Sequence, residues 1–358
     1  MKKLLSLTLI IAMLITLIVP MTTVSAKSTT KKTTYLATQD AYKNSNGIAY
    51  MKDNELHFKG NDGKDKVLLS FGYSSEVSFY MRGKTIYYSV YDHEYEDENI
   101  TPGIYSININ GKKNTLIKSR SFSVLGGYGS TILTITGSRY IGYRVYSIAD
   151  NGTKILFNTS TGNVVLFNGR IYYGNKAYII DTGKTITFKN KGKVSSNSYM
   201  YYINSKNSLI RLDKAGKKTT IAKNAKEVLY ANDGKTVIYR KGNTYYRKTG
   251  TGKAYALTTK NKLQNELMYP QETYAHAERV EIKDVAIINK VVYFNAEYDF
   301  GAIVSVNDKG GKLNRITGIY FDDPFIDSMT GIGKKIYYTL VGTDDIVSFD
   351  HKVLNVAG

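Results

Sequence analysis

The chain has 358 residues, with 49 Lys and Arg against 30 Asp and Glu, 32 Tyr, 31 Gly, four Pro and no Cys. Without Cys there is no disulfide, no thiolate metal site, no Cys nucleophile and no lipobox for a lipid anchor; so few prolines exclude a Pro-rich stalk. Abundant Tyr and Gly suit short strands and tight turns, because Tyr fits a half-buried pleated surface and Gly supplies the positive φ that turns require.

Residues 1–26 read as a secretory signal peptide. Lys2 and Lys3 form a positive start, Leu4 to Val19 is almost wholly apolar, and Val24-Ser25-Ala26 is a small-residue cleavage site. The apolar run is shorter than the roughly 20 residues that span a bilayer. No later stretch has the length and hydropathy to span one, and the chain ends at Gly358 without a hydrophobic tail or sorting motif, so the expectation is free secretion or loose retention at the cell wall. Cleavage leaves a formal charge of +17, which draws the protein toward anionic surfaces. Residues 27–34, Lys-Ser-Thr-Thr-Lys-Lys-Thr-Thr, have no apolar periodicity and read as a linker.

From residue 35 to 358 one pattern recurs. A Gly-, Asn- or Lys-rich turn precedes an aromatic strand, as in Gly83-Lys84-Thr85 before Ile86-Tyr87-Tyr88, Asn168-Gly169-Arg170 before Ile171-Tyr172-Tyr173, and Gly333-Lys334-Lys335 before Ile336-Tyr337-Tyr338. A second strand follows, such as Gly103-Ile104-Tyr105-Ser106-Ile107 or Asp345-Ile346-Val347-Ser348-Phe349. A Gly-Lys turn and a further apolar run complete the unit, as at Asn110-Gly111-Lys112 and Ala215-Gly216-Lys217. A period near 40–45 residues with about four strands is the mark of a propeller blade. The fold expected is all-β, a β-propeller of about seven blades, with six to eight compatible with the spacing. The last unit, Ile336 to Phe349, lacks a full set of strands, and the chain from Thr34 onward is expected to complete it and close the ring. In each Tyr pair, one ring is expected between blades and the other nearer the surface.

The Ile-Tyr-Tyr and Ile-x-Ser-Ile elements resemble the propeller-like repeats of low-density-lipoprotein-receptor and TolB-like proteins. They look especially like a family of uncharacterised exported Gram-positive proteins with such strands and Gly-Lys turns. The resemblance spans roughly residues 45–355 and implies a fold without carrying catalytic residues. The receptor-type Tyr-Trp-Thr-Asp signature is missing, since there is no Trp; its nearest match is Tyr337-Tyr338-Thr339-Leu340.

Candidate chemistry is sparse. His57, His93, His276 and His351 lie in separate units with no metal-ligand spacing. The resemblance to TolB-like lyases implies that blade loops can bring His together at the channel, which the spacing does not support. Asp92 to Glu98 holds five carboxylates in seven residues but no Gly at the sixth position of a calcium loop, and reads as a solvated hairpin. Asp322-Asp323 and Asp344-Asp345 read as turns. Gly126-Gly127-Tyr128-Gly129 is a Gly-rich run with no following helix, a poor phosphate site. Asn261 to Glu281 lengthens one unit and marks a binding loop or a tolerated insertion. No Gly-x-Ser-x-Gly elbow or sialidase box is present. No catalytic, cofactor-binding or metal residue is assigned, and binding residues are not identified. The expected function is an exported, non-enzymatic binding or scaffold protein at the cell envelope, engaging an anionic wall polymer or a protein. It is expected to be a monomer without nucleic-acid partners or a stable membrane anchor. The alternative is a carbohydrate-active hydrolase or lyase with acids converging at the channel.

Overall fold

The computed structural model describes residues 32–72, 75–92, 101–119, 122–138, 140–196, 198–231, 235–267, 280–297, 301–317, 325–342 and 348–356. The signal peptide, most of the linker, the run after Asp92, both Asp pairs, His93, His276 and residues 268–279 of the insertion lie outside them. The chain from Thr33 to Gly358 forms one unit.

Eight antiparallel sheets make up that unit, the top of the range that the repeat spacing allows. Blade 1 is Ala41–Asn44, Gly47–Lys52, Glu55–Gly60 and Asp65–Ser70, hydrogen-bonded in that order. Blades 2, 4, 5, 6 and 7 repeat the four-stranded meander over residues 75–119, 164–187, 191–222, 227–259 and 281–315. Blade 3 spans 123–159 and gains a fifth strand; blade 8, over 325–355, has three. The insertion contributes helix α1, Lys260–Leu267, whose Leu263 and Leu267 are buried between blades 6 and 7.

The first strand of each sheet lies innermost, since first strands of neighbouring sheets touch one another and line a shared cavity. Every blade therefore runs from axis to rim in the same sense. Its first and third turns open on one face of the ring, and its second turn and the link to the next blade open on the other.

Apolar packing between neighbouring blades holds the ring. Ala49, Met51, Leu56 and Phe58 of blade 1 pack against Val77, Phe79, Met81 and Ile86 of blade 2, and the pattern repeats around the circle. The tyrosine pairs follow the expectation at Tyr87-Tyr88 and Tyr245-Tyr246, where Tyr87 and Tyr246 are the less buried members, and differ from it at others. Tyr172 packs toward blade 5 and Tyr173 toward blade 3; Tyr201 and Tyr202 divide between blades 6 and 4 in the same way. Both rings of such a pair are buried, because a second strand is covered by a neighbouring blade on each side.

The leading strand also differs from expectation. Thr34–Leu36 pairs with Ser123–Tyr128 of blade 3, as Thr34↔Tyr128, Tyr35↔Gly127 and Leu36↔Gly126, and does not complete blade 8. Among the described residues blade 8 has no fourth, outermost strand, whereas residue 36 stands five residues before the innermost strand of blade 1. Five extended residues reach roughly 17 Å, and the leading strand ends at the axis, not at the rim. The Gly-rich run supplies its seat. Gly126 has φ +139°, and a Cβ there would meet the Tyr35 carbonyl oxygen at 2.0 Å. A Cβ on Gly127 would meet the Tyr80 hydroxyl at 2.7 Å. Gly126→Val is accordingly expected to expel the leading strand, lowering stability by about 2 kcal/mol or more and exposing residues 33–40 to protease; a variant cut no faster than the parent refutes this role.

Candidate functional site

The innermost strands and the segment after the leading strand enclose a cavity of about 470 Å³ on the ring axis. Its two sides differ. Leu36, Leu125, Val164, Val165, Leu166 and Ile171 form an apolar wall on blades 3 and 4. Asp40, Glu76, Asp284, Ser328 and Thr330 form a polar wall from the leading segment and blades 2, 7 and 8. The carboxylates required by the enzymatic alternative thus do meet at the channel.

Their hydrogen bonds show what they do there. Asp40 Oδ1 accepts from Ser328 Oγ at 2.7 Å and Thr339 Oγ1 at 2.9 Å, and Oδ2 accepts from Thr330 Oγ1 at 3.1 Å. All three donors belong to blade 8, while the Asp40 carbonyl accepts from Met51 N of blade 1 at 2.8 Å. Asp40 is thereby committed to joining the last blade to the first. Asp284 Oδ2 accepts from Met329 N at 3.1 Å, and Glu76 Oε1 accepts from Gln39 Nε2 at 3.0 Å.

Burial pushes Asp40 up to about 6 despite its three hydroxyl donors. Burial, and then the Asp40 charge, push Asp284 up to about 8, with Asp327 adding to the effect. Both carboxyls are thus held above the usual carboxylate range, Asp284 further than Asp40 because the Asp40 charge opposes its ionisation. Two carboxyls pushed apart in this way can serve general acid–base chemistry, but here both oxygens of Asp40 are occupied by blade 8.

The two described histidines, His57 and His351, do not line the cavity. His57, on the third strand of blade 1, stacks on Tyr50 at 5.0 Å, and Tyr50 packs on Tyr337 of blade 8 at 5.1 Å. His351, on the third strand of blade 8, sets Nδ1 3.0 Å from Asn54 Oδ1, and its carbonyl accepts from Asp53 N at 2.9 Å. Burial pushes His351 down to about 4. Both histidines belong to the blade 8–blade 1 seam. Among the described residues no group of three or more His, Asp and Glu is placed to hold a metal ion.

The second feature is electrostatic. Residues 164–259, which build blades 4 to 6, hold 19 Lys and Arg against four Asp and Glu; the other residues after 26 hold 28 against 26. Of the +17, +15 thus lies on three adjacent blades. The basic composition was legible in the sequence, but its confinement to one sector emerges only once the blade boundaries are known. Glu227 is already paired with Arg240, at 3.0 Å. Most of the remaining cations are lysines on turns and strand ends, exposed to solvent.

No protein-family model and no curated protein matches this chain. Among solved structures, the computationally designed Ika8 protein aligns at 9% identity with a TM-score of 0.48, covering 90% of this chain and 97% of that one. BamB from Moraxella catarrhalis aligns at 11% and 0.47, covering 89% and 97%. The β-propeller domain of the Trilobed protease from Pyrococcus furiosus, described as having an open velcro topology, aligns at 11% and 0.34, covering 91% and 99%. The fold assignment rests on the sheet order itself.

Protonation has a definite direction here. The native pKa of Asp284 lies above its unfolded value of 3.8, so its contribution is fully present below pH 3.8 and is lost as pH rises through about 8. Asp40 acts alike, with loss through about 6. His351 acts oppositely: its native pKa lies below 6.5, so its contribution is lost as pH falls from 6.5 through about 4. Asp284→Asn removes one acid and leaves His351 untouched. The variant's Tm is expected to gain on the parent's from pH 5 to about pH 8 and to level off above it in paired melts; a constant difference over that range overturns the assignment. Asp40→Ala strands three hydroxyls and is expected to cost about 3 kcal/mol or more in denaturant unfolding at pH 7; a cost under about 1 kcal/mol removes Asp40 from the seam.

Proposed function

We propose that the protein is an exported binding module that engages an anionic polymer of the cell envelope, without catalysis. The observation that carries this reading is the concentration of +15 of the +17 net charge on blades 4–6. Charge dispersed for solubility alone has no reason to gather on three blades of eight and leave the other five nearly balanced. The signal-peptide pattern of residues 1–26 supports an extracytoplasmic site of action, where anionic wall polymers and phospholipid headgroups are the abundant polyanions. Among the described residues no helix is long and apolar enough to cross a membrane.

The mature protein is expected to sediment with isolated Gram-positive cell walls at low ionic strength and to be released as salt shortens the screening length from about 30 Å at 0.01 M to about 8 Å at 0.15 M. Full solubility beside walls at low salt sinks this reading.

A carbohydrate-active hydrolase or lyase has one observation in its favour, the gathering of Asp40, Glu76 and Asp284 in the cavity. With Asp40 held by blade 8, that reading falls on Glu76 and Asp284. It requires release of reducing ends from wall polysaccharide by the parent protein, abolished by Glu76→Gln; absence of turnover by the parent leaves binding alone.

A further inference from the structure

The basic sector is not equally basic toward every partner, because its lysines divide between the two faces of the ring. On the face that carries the second turns and the inter-blade links, they follow one another along an arc. Lys189 lies in the link from blade 4 to blade 5, and Lys191 begins the inner strand of blade 5. Lys206 sits in the second turn of blade 5, Lys223 and Lys226 in the link to blade 6, and Lys241 ends the second strand of blade 6. All six are exposed. The acid in their midst, Glu227, is neutralised by Arg240. Across the channel, the same face of blades 7, 8, 1 and 2 presents Asp327, Glu55 and Glu76 near the corresponding strand ends, and Lys283 bridges Glu281 and Glu297 at 3.3 Å each. A polyanion approaching this face is drawn to the side of blades 4–6.

The character of the arc selects among polyanions. Its cations are lysines, flexible point charges, whereas Arg240 and Arg247 of the sector are held by Glu227 and Asp308. Among the described residues of 161–262, no aromatic side chain is an exposed large hydrophobic one; Tyr172, Tyr173, Tyr201, Tyr202, Tyr239 and Tyr245 are buried. Single-stranded nucleic acid is gripped by stacking bases on exposed rings; among the described residues of the sector, Phe188, Tyr199, Tyr246 and Tyr255 are only partly exposed and no ring is fully so.

We infer that the arc from Lys189 to Lys241 is the docking track for a linear, flexible, base-free polyanion of the phosphodiester or polyphosphate type. The inference rests on the proposed binding function and adds the face, the blades and the chemistry of the ligand. With sheets about 10 Å apart, three blades give a track of roughly 20–30 Å.

The test uses inorganic polyphosphate of graded length as the probe, with the mature protein and two triple variants. One is Lys206→Gln, Lys223→Gln and Lys226→Gln, on the arc. The other is Lys184→Gln, Lys217→Gln and Lys253→Gln, exposed on the opposite face of the same blades. Both remove three charges. The arc variant is expected to bind at least about tenfold more weakly at low salt, with the slope of log affinity against log salt reduced by about 2; the opposite-face variant is expected to stay within about threefold of the parent. Poly(dT) at equal phosphate concentration is expected to bind no more tightly than polyphosphate. Equal losses in both variants, or a larger loss on the opposite face, overturn the track while leaving the binding reading intact. Markedly tighter binding of poly(dT) overturns the base-free ligand. A parent protein that binds neither polyphosphate nor cell walls overturns the reading on which the track depends.

Discussion

The ring depends on how its last blade meets its first. Among the described residues, seven blade interfaces are closed by apolar clusters of at least seven buried residues, whereas the seam between blades 8 and 1 has three, Ala41, Tyr50 and Tyr337. Among the described residues no strand is exchanged across it. The seam compensates for its small buried area with polar bonds: the three hydroxyls on Asp40, the Asn54–His351 pair, and the Asp53 amide on the His351 carbonyl. Each such bond is worth about 1 kcal/mol net, but each leaves a costly orphan if its partner is removed. A seam built this way is more demanding of geometry than a seam of apolar rings. It also titrates, through Asp40 and His351, which an apolar seam does not.

This seam explains why the acids in the channel are weak support for catalysis. Asp40 is buried because it must reach blade 8 from the leading segment, and Asp284 follows blade 8 through the Met329 amide. Their raised pKa values come chiefly from that burial. Perturbed carboxylates in a cavity are often functional, yet structural networks perturb pKa in the same way. Here the partners are all named, and most of them hold the ring together.

The repeat was legible because it is written in local chemistry. Gly-Lys turns and Ile-Tyr-Tyr strands set the blade count within the range found, since turn residues and β-branched or aromatic runs act over a few positions. The seam was not legible for the same reason: Asp40 and its three donors stand 288 to 299 residues apart in the chain. The Gly126-Gly127 run was visible but ambiguous. A Gly pair announces close approach, and only the pairing with Tyr35 and Leu36 shows that the approaching group is the chain's own backbone. The Tyr pairs were half legible. Alternation places the two rings on opposite sides of a strand, but that both sides are covered is a property of the ring, not of the strand.

The electrostatic sector links these levels. Closing eight sheets fixes which turns share a face, and this converts a bulk +17 into a directional field with a basic arc on one side of the channel and acids on the other. The seam and the arc lie on opposite parts of the circle, so the blades that bear the ligand are not those that bear the closure. Cations crowded on blades 4–6 repel one another and cost stability, and that cost falls where the interfaces are apolar and strong. Had the lysines gathered beside Asp40 and His351, the same charge would have shifted the groups on which closure depends. The separation lets the ring carry a concentrated surface charge without loosening the one interface that polar bonds must hold.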